Sequence, residues 1–350
     1  MLQWRILTIA HVMSLLPYLH RVVAGSDLRS EEAQQAMDVL LEGGAGEAEI
    51  AGFLVALKMK GETAAELAGF ARAMRDRMIV VDAGPDVIDT CGTGGDGSGT
   101  FNISTAAAIV MAGAGAHVAK HGNRSISSSS GSADVLEALG VRITGVTPEE
   151  AARSIREIGI GFLFAPAMHP AMKHAQTVRR ALKTRTVFNL LGPLVNPAGA
   201  RAQLIGAPSP EAAKRMAEAL AELGTRRSFV VHGRDGLDEV TTTAATDVYE
   251  VTANGVEQHI WQPSDFGVRA AQGDSLKGGD SSCNAQIVLG ILSGEAGPRR
   301  DLVLANAASG LLAGGLASDL LDGMKLAAGS IDSGAAMAKL ELLKKNFPAE

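Results

Sequence analysis

Two loops rich in glycine or serine, between residues 87 and 137, restrict the possible folds more than any other part of the sequence. Each loop follows a short apolar run and precedes an apolar helical pattern. The first is Gly92-Thr93-Gly94-Gly95-Asp96-Gly97, and the second extends from Lys120 to Ser132. A strand, such a loop and a helix in this order are typical of parallel α/β sheets. No Asp or Glu lies between Gly97 and Ala133, so the loops predict an anion-binding site.

The alternation of short apolar runs and helical patterns continues to the end of the chain. Strands are predicted at residues 87–91, 116–119, 161–165, 202–206, 227–232 and 247–251. Helices are predicted at residues 102–114, 131–139, 148–158, 210–223, 284–294, 299–313 and 332–345. This order predicts an α/β fold for residues 81–350, a large domain with a mostly parallel central sheet flanked by helices.

The N-terminal part differs because its apolar residues recur at helical spacing, which predicts a small all-helical domain over residues 13–80. Ser30, followed by Glu31 and Glu32, is expected to cap the first clear helix. Helices near residues 170–190 are expected to join this domain. Residues 1–12 are predicted to be an extra N-terminal segment, and the apolar run that begins there is too short to span a membrane.

Composition limits the classes of function. The net charge is −6 and the isoelectric point is near 5.8, which argues against general binding to nucleic acid or to an anionic membrane. Cys91 and Cys283 are the only cysteines, and their spacing suits neither a metal site nor a disulfide framework. We therefore expect a cytoplasmic protein with small-molecule ligands, and neither a nucleic-acid nor a membrane partner.

The first loop satisfies the spacing G-x-G-x-x-G, so a dinucleotide site, as in a nicotinamide dehydrogenase, is one interpretation. That site also needs an acidic residue about 20 positions further on, where this chain has Ala119-Lys120-His121. The next helix begins late, at Asn102, which leaves a long loop of N–H groups to surround a diphosphate. Asn102, Ser104 and Thr105 are expected to cap this helix and to donate hydrogen bonds.

The second loop adds positive charge and hydroxyl groups. Lys120 is expected just past a strand end, where ligands collect in open α/β sheets. An isolated lysine is usually a solvated surface residue, but Lys120 adjoins His121 and Asn123 in a turn that contains glycine. Ser130-Gly131-Ser132 directly precedes a helical pattern, and such a helix start favours a phosphate group.

Several segments in this order closely resemble the anthranilate phosphoribosyltransferase family. They are GTGGDG, FNIST, AKHGNRS, SGSADVLEALG, FLFAPAMHPAMKH, FNLLGPLVNP and LDEVTTT, and the similarity covers about residues 14 to 345. The resemblance implies a glycosyltransferase that moves the phosphoribosyl group of phosphoribosyl pyrophosphate to the amine of anthranilate, in the biosynthesis of tryptophan, an aromatic amino acid. The implied products are N-(5-phosphoribosyl)anthranilate and pyrophosphate. The resemblance also implies Mg²⁺ as cofactor and a homodimer built through the small helical domain.

The residue chemistry and the resemblance together predict the site residues. The predicted substrate-binding residues are Gly92, Gly95, Asp96, Thr100, Asn102, Ser104, Thr105, Lys120, Asn123, Ser130, Ser132 and Arg179. The predicted catalytic residues are Lys120, Asp96 and His121. The metal ligands that the resemblance implies are Ser104, Asp238 and Glu239. Two carboxylates suffice for Mg²⁺ on a diphosphate, because phosphate and water oxygens complete its coordination.

The acceptor end is indicated by a basic segment, because no acidic residue lies between Glu157 and Glu211. Its basic residues, of which most are expected to form a solvated helix face, are Lys173, Arg179, Arg180, Lys183, Arg185 and Arg201. Arg179 matches the family's arginine for the anthranilate carboxylate, which suits a planar guanidinium. Asn123 matches a second acceptor residue, and His169-Pro170 with Met172 resemble the lining of the acceptor tunnel. Lys183 departs from the family, which commonly has glycine there, so the local turn is expected to differ.

The chemistry of the implied reaction assigns roles to these groups. Cleavage of the bond from the anomeric carbon to the diphosphate leaves negative charge on the leaving group, which Lys120 and Mg²⁺ can stabilise. The aromatic amine is neutral at pH 7, so its attack needs no prior deprotonation. His121 is expected either to accept the proton released after the attack or to serve a structural role.

Three alternatives remain open at this point. A pyrimidine nucleoside phosphorylase has the same fold and also reacts at an anomeric carbon, but its glycine and serine loops differ from those of this chain. A nicotinamide dehydrogenase lacks support because the acidic residue near position 119 is missing. A non-catalytic nucleic-acid-binding relative needs a basic surface, which the net charge of −6 opposes.

Overall fold

The structure is a computed structural model that describes residues 14–94, 97–125 and 130–349. The predicted extra segment, residues 1–12, lies outside the described residues. Across the part of the chain that is described, no helix combines the length and the apolar character that crossing a membrane demands.

Four helices form a small N-terminal domain, namely α1 (Leu16–Val23), α2 (Ser30–Leu41), α3 (Glu47–Lys60) and α4 (Ala64–Arg75). The start of α4 shows why this segment is helical. Thr63 Oγ1 accepts a hydrogen bond from the Glu66 N–H at 3.2 Å, and the Glu66 carboxylate accepts one from the Thr63 N–H at 2.8 Å. This capping box satisfies two backbone donors that the first helical turn leaves without partners.

The predicted cap of α2 is wrong by one residue. Arg29 is the N-cap residue, its N–H donates to Glu32 Oε2 at 3.0 Å, and Ser30 is the first helical residue. Ser30 Oγ accepts a hydrogen bond from Arg72 of α4 at 2.5 Å. The hydroxyl of Ser30 therefore links two helices, which a sequence pattern cannot distinguish from a cap.

The large domain contains a seven-stranded sheet. Its strands are β1 (Val87–Gly92), β2 (His117–Gly122), β3 (Ile160–Phe164), β4 (Ala202–Gly206), β5 (Arg227–Gly233), β6 (Thr246–Thr252) and β7 (Gly255–Trp261). The order in the sheet is β3-β2-β1-β4-β5-β6-β7. The strands from β3 to β5 pair in parallel, and β6 and β7 pair in antiparallel fashion. The prediction of a mostly parallel sheet is confirmed.

Helices flank both faces of this sheet. They are α5 (Ile103–Gly113), α6 (Ser132–Ala138), α7 (Pro148–Ile158), α8 (Ala165–Met168), α9 (Lys173–Leu182), α10 (Phe188–Leu191), α11 (Pro210–Leu223), α12 (Ser281–Leu292), α13 (Pro298–Gly314), α14 (Leu320–Asp332) and α15 (Ala335–Asn346). The sequence pattern did not predict β7 or α14. β7 is an edge strand in which Glu257 and Gln258 are exposed. α14 contains Gly323, whose missing side chain lets the helix approach the Ala308 backbone of α13.

Alternate side chains of the strands face different helices, as the pleat of a sheet requires. Leu204 and Phe229 lie in one apolar cluster with residues of α13. Their neighbours Ile205 and Val230 lie in another cluster with α11 and with the helices of the N-terminal domain. Residues of α9 and α10 also belong to this second cluster. The segment from α9 to α10 therefore packs on the helical domain while it borders the sheet.

The turn after α9 has an unusual backbone. Lys183 ends the helix with φ +47°, and it is the one non-glycine residue with positive φ among the described residues. Its N–H donates to the Arg179 carbonyl at 3.3 Å. This left-handed position at a helix end is the one that glycine normally fills. The chain therefore keeps the glycine-type turn at Lys183, although the sequence suggested a different one.

We predict that Lys183→Gly stabilises the protein by about 0.5–1 kcal/mol. A left-handed conformation costs a residue with a Cβ about 1–2 kcal/mol, and the greater freedom of glycine in the unfolded chain offsets part of the gain. Urea unfolding measures the change in the free energy of unfolding. Lys183→Ala is the control, because alanine keeps the backbone strain, so equal stability of the two variants would contradict the prediction.

Candidate active site

A cleft of about 780 Å³ opens at the carboxyl ends of β1 and β2. In the sheet, β2 and β3 lie on one side of β1, whereas β4 and β5 lie on its other side. The direction in which successive strands are added therefore changes at β1. Ligands of open α/β sheets bind at such a switch point, beyond the carboxyl ends of the strands. The cleft is bordered on the other side by residues of α9, α10 and the turns that flank them.

The floor of the cleft is set by two glycines that lie opposite each other. Gly92 ends β1 and is paired with Gly206, which ends β4. A Cβ on Gly206 would overlap the backbone carbonyl of Asp238, and a Cβ on Gly92 would lie 2.6 Å from Asp238 Oδ2. The missing side chains therefore admit the Asp238-Glu239 segment. The sequence predicted that Gly92 contacts a phosphate. The structure adds a steric reason for glycine at this position, because a side chain there would collide with Asp238.

The Asp238-Glu239 segment is held from two directions. The Gly94 N–H donates to Asp238 Oδ2 at 2.7 Å. On the other side, the buried Asn306 side chain of α13 accepts from the Val240 N–H at 3.1 Å and donates to the Val240 carbonyl at 2.8 Å. Asp238 and Glu239 line the cleft although only 7% and 8% of their surface is exposed. The Asp238 carboxylate and the backbone next to Glu239 are therefore held in place beside the first loop.

Lys120 lies within β2, which ends at Gly122, three residues later than the predicted strand end, so the prediction that Lys120 follows the strand is wrong. Its side chain is 2% exposed, and Nζ donates to the Thr90 carbonyl at 2.7 Å and to Ser104 Oγ at 3.2 Å. Burial lowers the pKa of Lys120, and the negative charge of nearby Asp89 opposes that shift. These contacts fix the ammonium group at the edge of the cleft, next to the start of α5.

Asp89 is a buried carboxylate that the sequence reading did not single out. It accepts hydrogen bonds from the His121 N–H at 3.2 Å and from Asn196 Nδ2 at 2.7 Å. Burial raises the pKa of Asp89, whereas the charge of Lys120 opposes the rise. The available signal was an acid inside the apolar run of β1, because a buried polar group needs a partner.

Asn102 connects the two loops. It is the N-cap residue of α5, but its side chain does not accept from the helix, so the predicted side-chain cap is wrong. Asn102 Nδ2 donates to the Ser130 carbonyl at 3.2 Å, and its Oδ1 accepts from Ser130 Oγ at 3.2 Å and from Asn284 Nδ2 at 3.1 Å. The side chain thereby joins the serine loop to the glycine loop.

Most of the other predicted site residues also border the cleft. Those that do are Gly92, Thr100, Asn102, Ser104, Lys120, His121, Asn123, Ser130, Ser132, Arg179, Asp238 and Glu239. Thr105 is a correction, because it does not border this cleft: the residue borders a small apolar cavity instead, and its hydroxyl is buried with no hydrogen-bond partner among the described residues. Gly95 and Asp96 lie outside the described residues.

Two histidines and an arginine border the cleft near α9 and α10. The rings of His121 and His169 lie with centroids 5.1 Å apart. Burial lowers the pKa of His121 to about 3 and that of His169 to about 4, so both rings are neutral at pH 7. His121 Nδ1 lies 3.1 Å from the Gly192 carbonyl, which can only accept, so Nδ1 carries the proton and Nε2 keeps a lone pair.

Arg179 of α9 is half-buried and lies against an aromatic ring. Its guanidinium carbon is 5.1 Å from the centroid of the Phe188 ring. Burial lowers the pKa of Arg179, although the group stays charged near neutral pH because a guanidinium is a very strong base. A cation stacked on a ring and facing a cleft is suited to bind an aromatic carboxylate. Of the basic segment, Lys173, Arg179 and Arg185 border the cleft.

We predict that Gly206→Ala lowers turnover at least about 100-fold, because the new methyl group must displace Asp238 and a misplacement of about 1 Å can cost that much. Turnover of the purified variant measures the loss, and circular dichroism confirms that it is folded. Gly329→Ala is the matched control, because nothing lies within 4 Å of its added Cβ. Normal turnover of Gly206→Ala would contradict the proposed steric role.

Comparison with known proteins agrees with this geometry. Residues 16–78 match the family model described as the helical bundle domain of the glycosyl transferase family. Residues 84–337 match the model described as its a/b domain. The matches cover the helical N-terminal region and the sheet region that border the cleft.

Individual relatives are more specific. The chain is 59% identical to anthranilate phosphoribosyltransferase of Solibacter usitatus, over 95% of this chain and 98% of the relative, and 52% identical to that of Desulforamulus reducens, over 93% and 94%. Among solved structures, that of the Thermus thermophilus enzyme has a TM-score of 0.88 at 44% identity, over 94% of this chain and 98% of that chain. The Saccharomyces cerevisiae enzyme in complex with phosphoribosyl pyrophosphate and Mg has a TM-score of 0.86 at 29% identity, over 95% and 97%. This chain belongs to the anthranilate phosphoribosyltransferase family.

Proposed function

We propose that this protein transfers the phosphoribosyl group of phosphoribosyl pyrophosphate to the amine of anthranilate, with release of pyrophosphate. The observation that carries the proposal is the arrangement of one cleft. On the side formed by the carboxyl ends of the strands, the cleft has a glycine loop, the buried Lys120 and two carboxylates. On the opposite side it has Arg179. The yeast relative is solved with phosphoribosyl pyrophosphate and Mg, and also with 4-fluoroanthranilate.

The sheet edge supplies the groups that a diphosphate needs. The backbone N–H groups at the start of α5 and the N-terminal end of its dipole favour an anion. Lys120 adds a fixed positive charge, and Ser104 adds a hydroxyl that already contacts Lys120. These groups stabilise the negative charge that develops on the leaving diphosphate, and their fixed positions avoid the cost of reorganisation.

The donor set fits Mg²⁺, which we propose as the cofactor. Asp238, Glu239 and Ser104 offer oxygen atoms only, as a hard cation prefers. The described residues hold no cluster of three or more His, Cys, Asp or Glu side chains that could bind a metal ion by themselves. A site of this kind depends on the oxygens of the diphosphate to complete the coordination. When bound, Mg²⁺ supplies Lewis-acid stabilisation of the diphosphate charge.

Residues from both sides of the cleft suit the acceptor. Arg179 of α9 holds the carboxylate of anthranilate, and Asn123, just after β2 on the sheet side, offers polar contacts. The aromatic amine attacks the anomeric carbon as a neutral nucleophile. The protonated product amine is far more acidic than an alkylammonium ion, because loss of the proton lets the lone pair delocalise into the ring again. His121 either accepts that proton at its Nε2 lone pair or serves a structural role, and burial makes it a weak base by lowering its pKa to about 3.

The alternative functions gain no support. The relatives described above are named anthranilate phosphoribosyltransferases, and none is named a phosphorylase, a dehydrogenase or a nucleic-acid-binding protein. The acidic residue required for a nicotinamide site is also absent at the end of β2, where Lys120 and His121 stand.

We predict that the purified protein consumes anthranilate when phosphoribosyl pyrophosphate and Mg²⁺ are both present. The loss of anthranilate fluorescence measures the reaction, and the released pyrophosphate should appear in equal amount. Omission of either phosphoribosyl pyrophosphate or the metal should abolish the loss. A folded protein that shows no turnover overturns the proposed function.

The double variant Asp238→Asn with Glu239→Gln is the control for the metal site, because it keeps the size of both side chains and removes both charges. Its turnover should fall at least about 100-fold, and higher Mg²⁺ concentrations should restore part of it. Full Mg²⁺-dependent turnover of this variant would remove Asp238 and Glu239 from the metal site.

We further propose a homodimer built through the small helical domain. Leu16 and Val23 of α1 and Met59 of α3 are exposed apolar side chains on this domain, and a second copy would remove them from water.

We also propose a cytoplasmic location. The two cysteines are free thiols, which supports a reducing compartment.

Sedimentation velocity at micromolar concentration tests this assembly. We predict a dimer for the natural chain and a shift toward monomer for Met59→Lys, because a charge at an apolar interface must be desolvated. Ile260→Lys is the matched control, since Ile260 is an exposed apolar residue on the edge strand β7 of the other domain. A monomeric natural chain, or equal effects of the two variants, would contradict the proposed interface.

A further inference from the structure

Arg185 has a buried nitrogen to which the proposed reaction assigns no role. Its side chain lies in the wall of the cleft, and Nη1 donates to the carbonyl of Gly94 in the glycine loop. Its Nη2 is shielded from solvent and has no hydrogen-bond partner within the described part of the chain. A buried charged donor without a partner is costly. The unused donor therefore points to a ligand.

The contacts of Gly94 place this donor at one end of the cleft. The carbonyl of Gly94 accepts from Arg185, and its N–H donates to Asp238 Oδ2 at 2.7 Å. Arg185 is thereby connected to the carboxylate pair proposed for the metal. Arg179 differs, because it lies against the Phe188 ring at 5.1 Å. The two arginines of one segment are therefore mounted for two different anions.

The turn that carries Arg185 is fixed on the side of the helical domain. Lys183 closes α9 in the left-handed conformation, which turns the chain sharply before Arg185. The next residue, Thr184, accepts a hydrogen bond at Oγ1 from Lys58 Nζ of α3. Arg185 therefore reaches from a turn anchored to the helical domain to the glycine loop of the sheet domain.

We propose that Arg185 binds the diphosphate of the phosphoribosyl donor, with Nη2 donating to a phosphate oxygen while Nη1 keeps its bond to Gly94. This inference rests on the proposed function. A planar guanidinium presents donors on two nitrogens in a fixed fork, so it can hold the loop and the ligand together. The contact lets bound diphosphate connect the helical domain to the sheet domain.

The test compares Arg185→Met with Arg180→Met. The second variant removes one positive charge from the neighbouring helix at an exposed residue that does not border the cleft. Isothermal titration with inorganic pyrophosphate and Mg²⁺ measures binding, and steady-state kinetics gives the KM for each substrate. We expect Arg185→Met to weaken pyrophosphate binding about 10- to 100-fold, as for the loss of a hydrogen bond to a charged group. The KM for phosphoribosyl pyrophosphate should rise alike, the KM for anthranilate should stay within about twofold, and Arg180→Met should match the natural protein.

Arg185→Lys separates a direct contact from a mere support of the loop. Lysine can still donate to the Gly94 carbonyl, but it lacks the second arm of the fork. A direct contact predicts that Arg185→Lys remains clearly weaker than the natural protein in pyrophosphate binding. Full recovery by lysine would show that the residue only holds the loop and would overturn the proposal. This variant also decides the matter if Arg185→Met fails to fold.

Other outcomes separate this proposal from the proposed function. Unchanged pyrophosphate affinity in folded Arg185→Met, with normal turnover of the natural protein, overturns the role of Arg185 alone. A rise confined to the KM for anthranilate also overturns it, because it moves Arg185 to the acceptor. A natural protein that neither turns over the substrates nor binds pyrophosphate overturns both.

Discussion

The close approach of Asp238 to two opposed glycines is the contact on which the candidate site depends. Gly92 and Gly206 end neighbouring parallel strands, and the absence of a side chain at both positions lets Asp238 approach the two strand ends. The same contact brings the Asp238 carboxylate to the Gly94 N–H. The sheet thereby fixes the distance between the glycine loop and the proposed metal ligands, because both rest on the same two strand ends.

Buried charge is the second constraint. Lys120 and Asp89 are both almost fully removed from water, and each lies near the charge of the other. Lys120 donates to the Thr90 carbonyl and to Ser104, and Asp89 accepts from the His121 N–H and from Asn196. Such a network is costly if any member is unpaired, so it holds one arrangement. This network fixes the positions of the Lys120 ammonium group and of the His121 backbone N–H at the border of the candidate active site.

The regular elements of the fold were largely predictable from the sequence, because their side chains alternate or recur with a simple period. The predicted 202–206 strand and the helices at 148–158 and 210–223 agree with the structure at both ends. The edge strand β7 and the glycine-containing helix α14 were not predicted, because polar residues and glycines interrupt the periodic pattern of their apolar residues. Side-chain partners were harder to predict: Thr105 does not border the cleft, and the Ser30 hydroxyl accepts a hydrogen bond from another helix.

The sequence by itself determined the family, the α/β order and the two anion-favouring loops, because these depend on residues that are close along the chain. Only the tertiary structure decided which distant residues meet. The sequence could not predict that Asp238 packs against Gly206, that the charge of Asp89 lies near Lys120, or that Arg185 donates a hydrogen bond to the Gly94 carbonyl. Each of these contacts joins segments that are far apart in the chain, and the packing of the sheet against the helices brings them together.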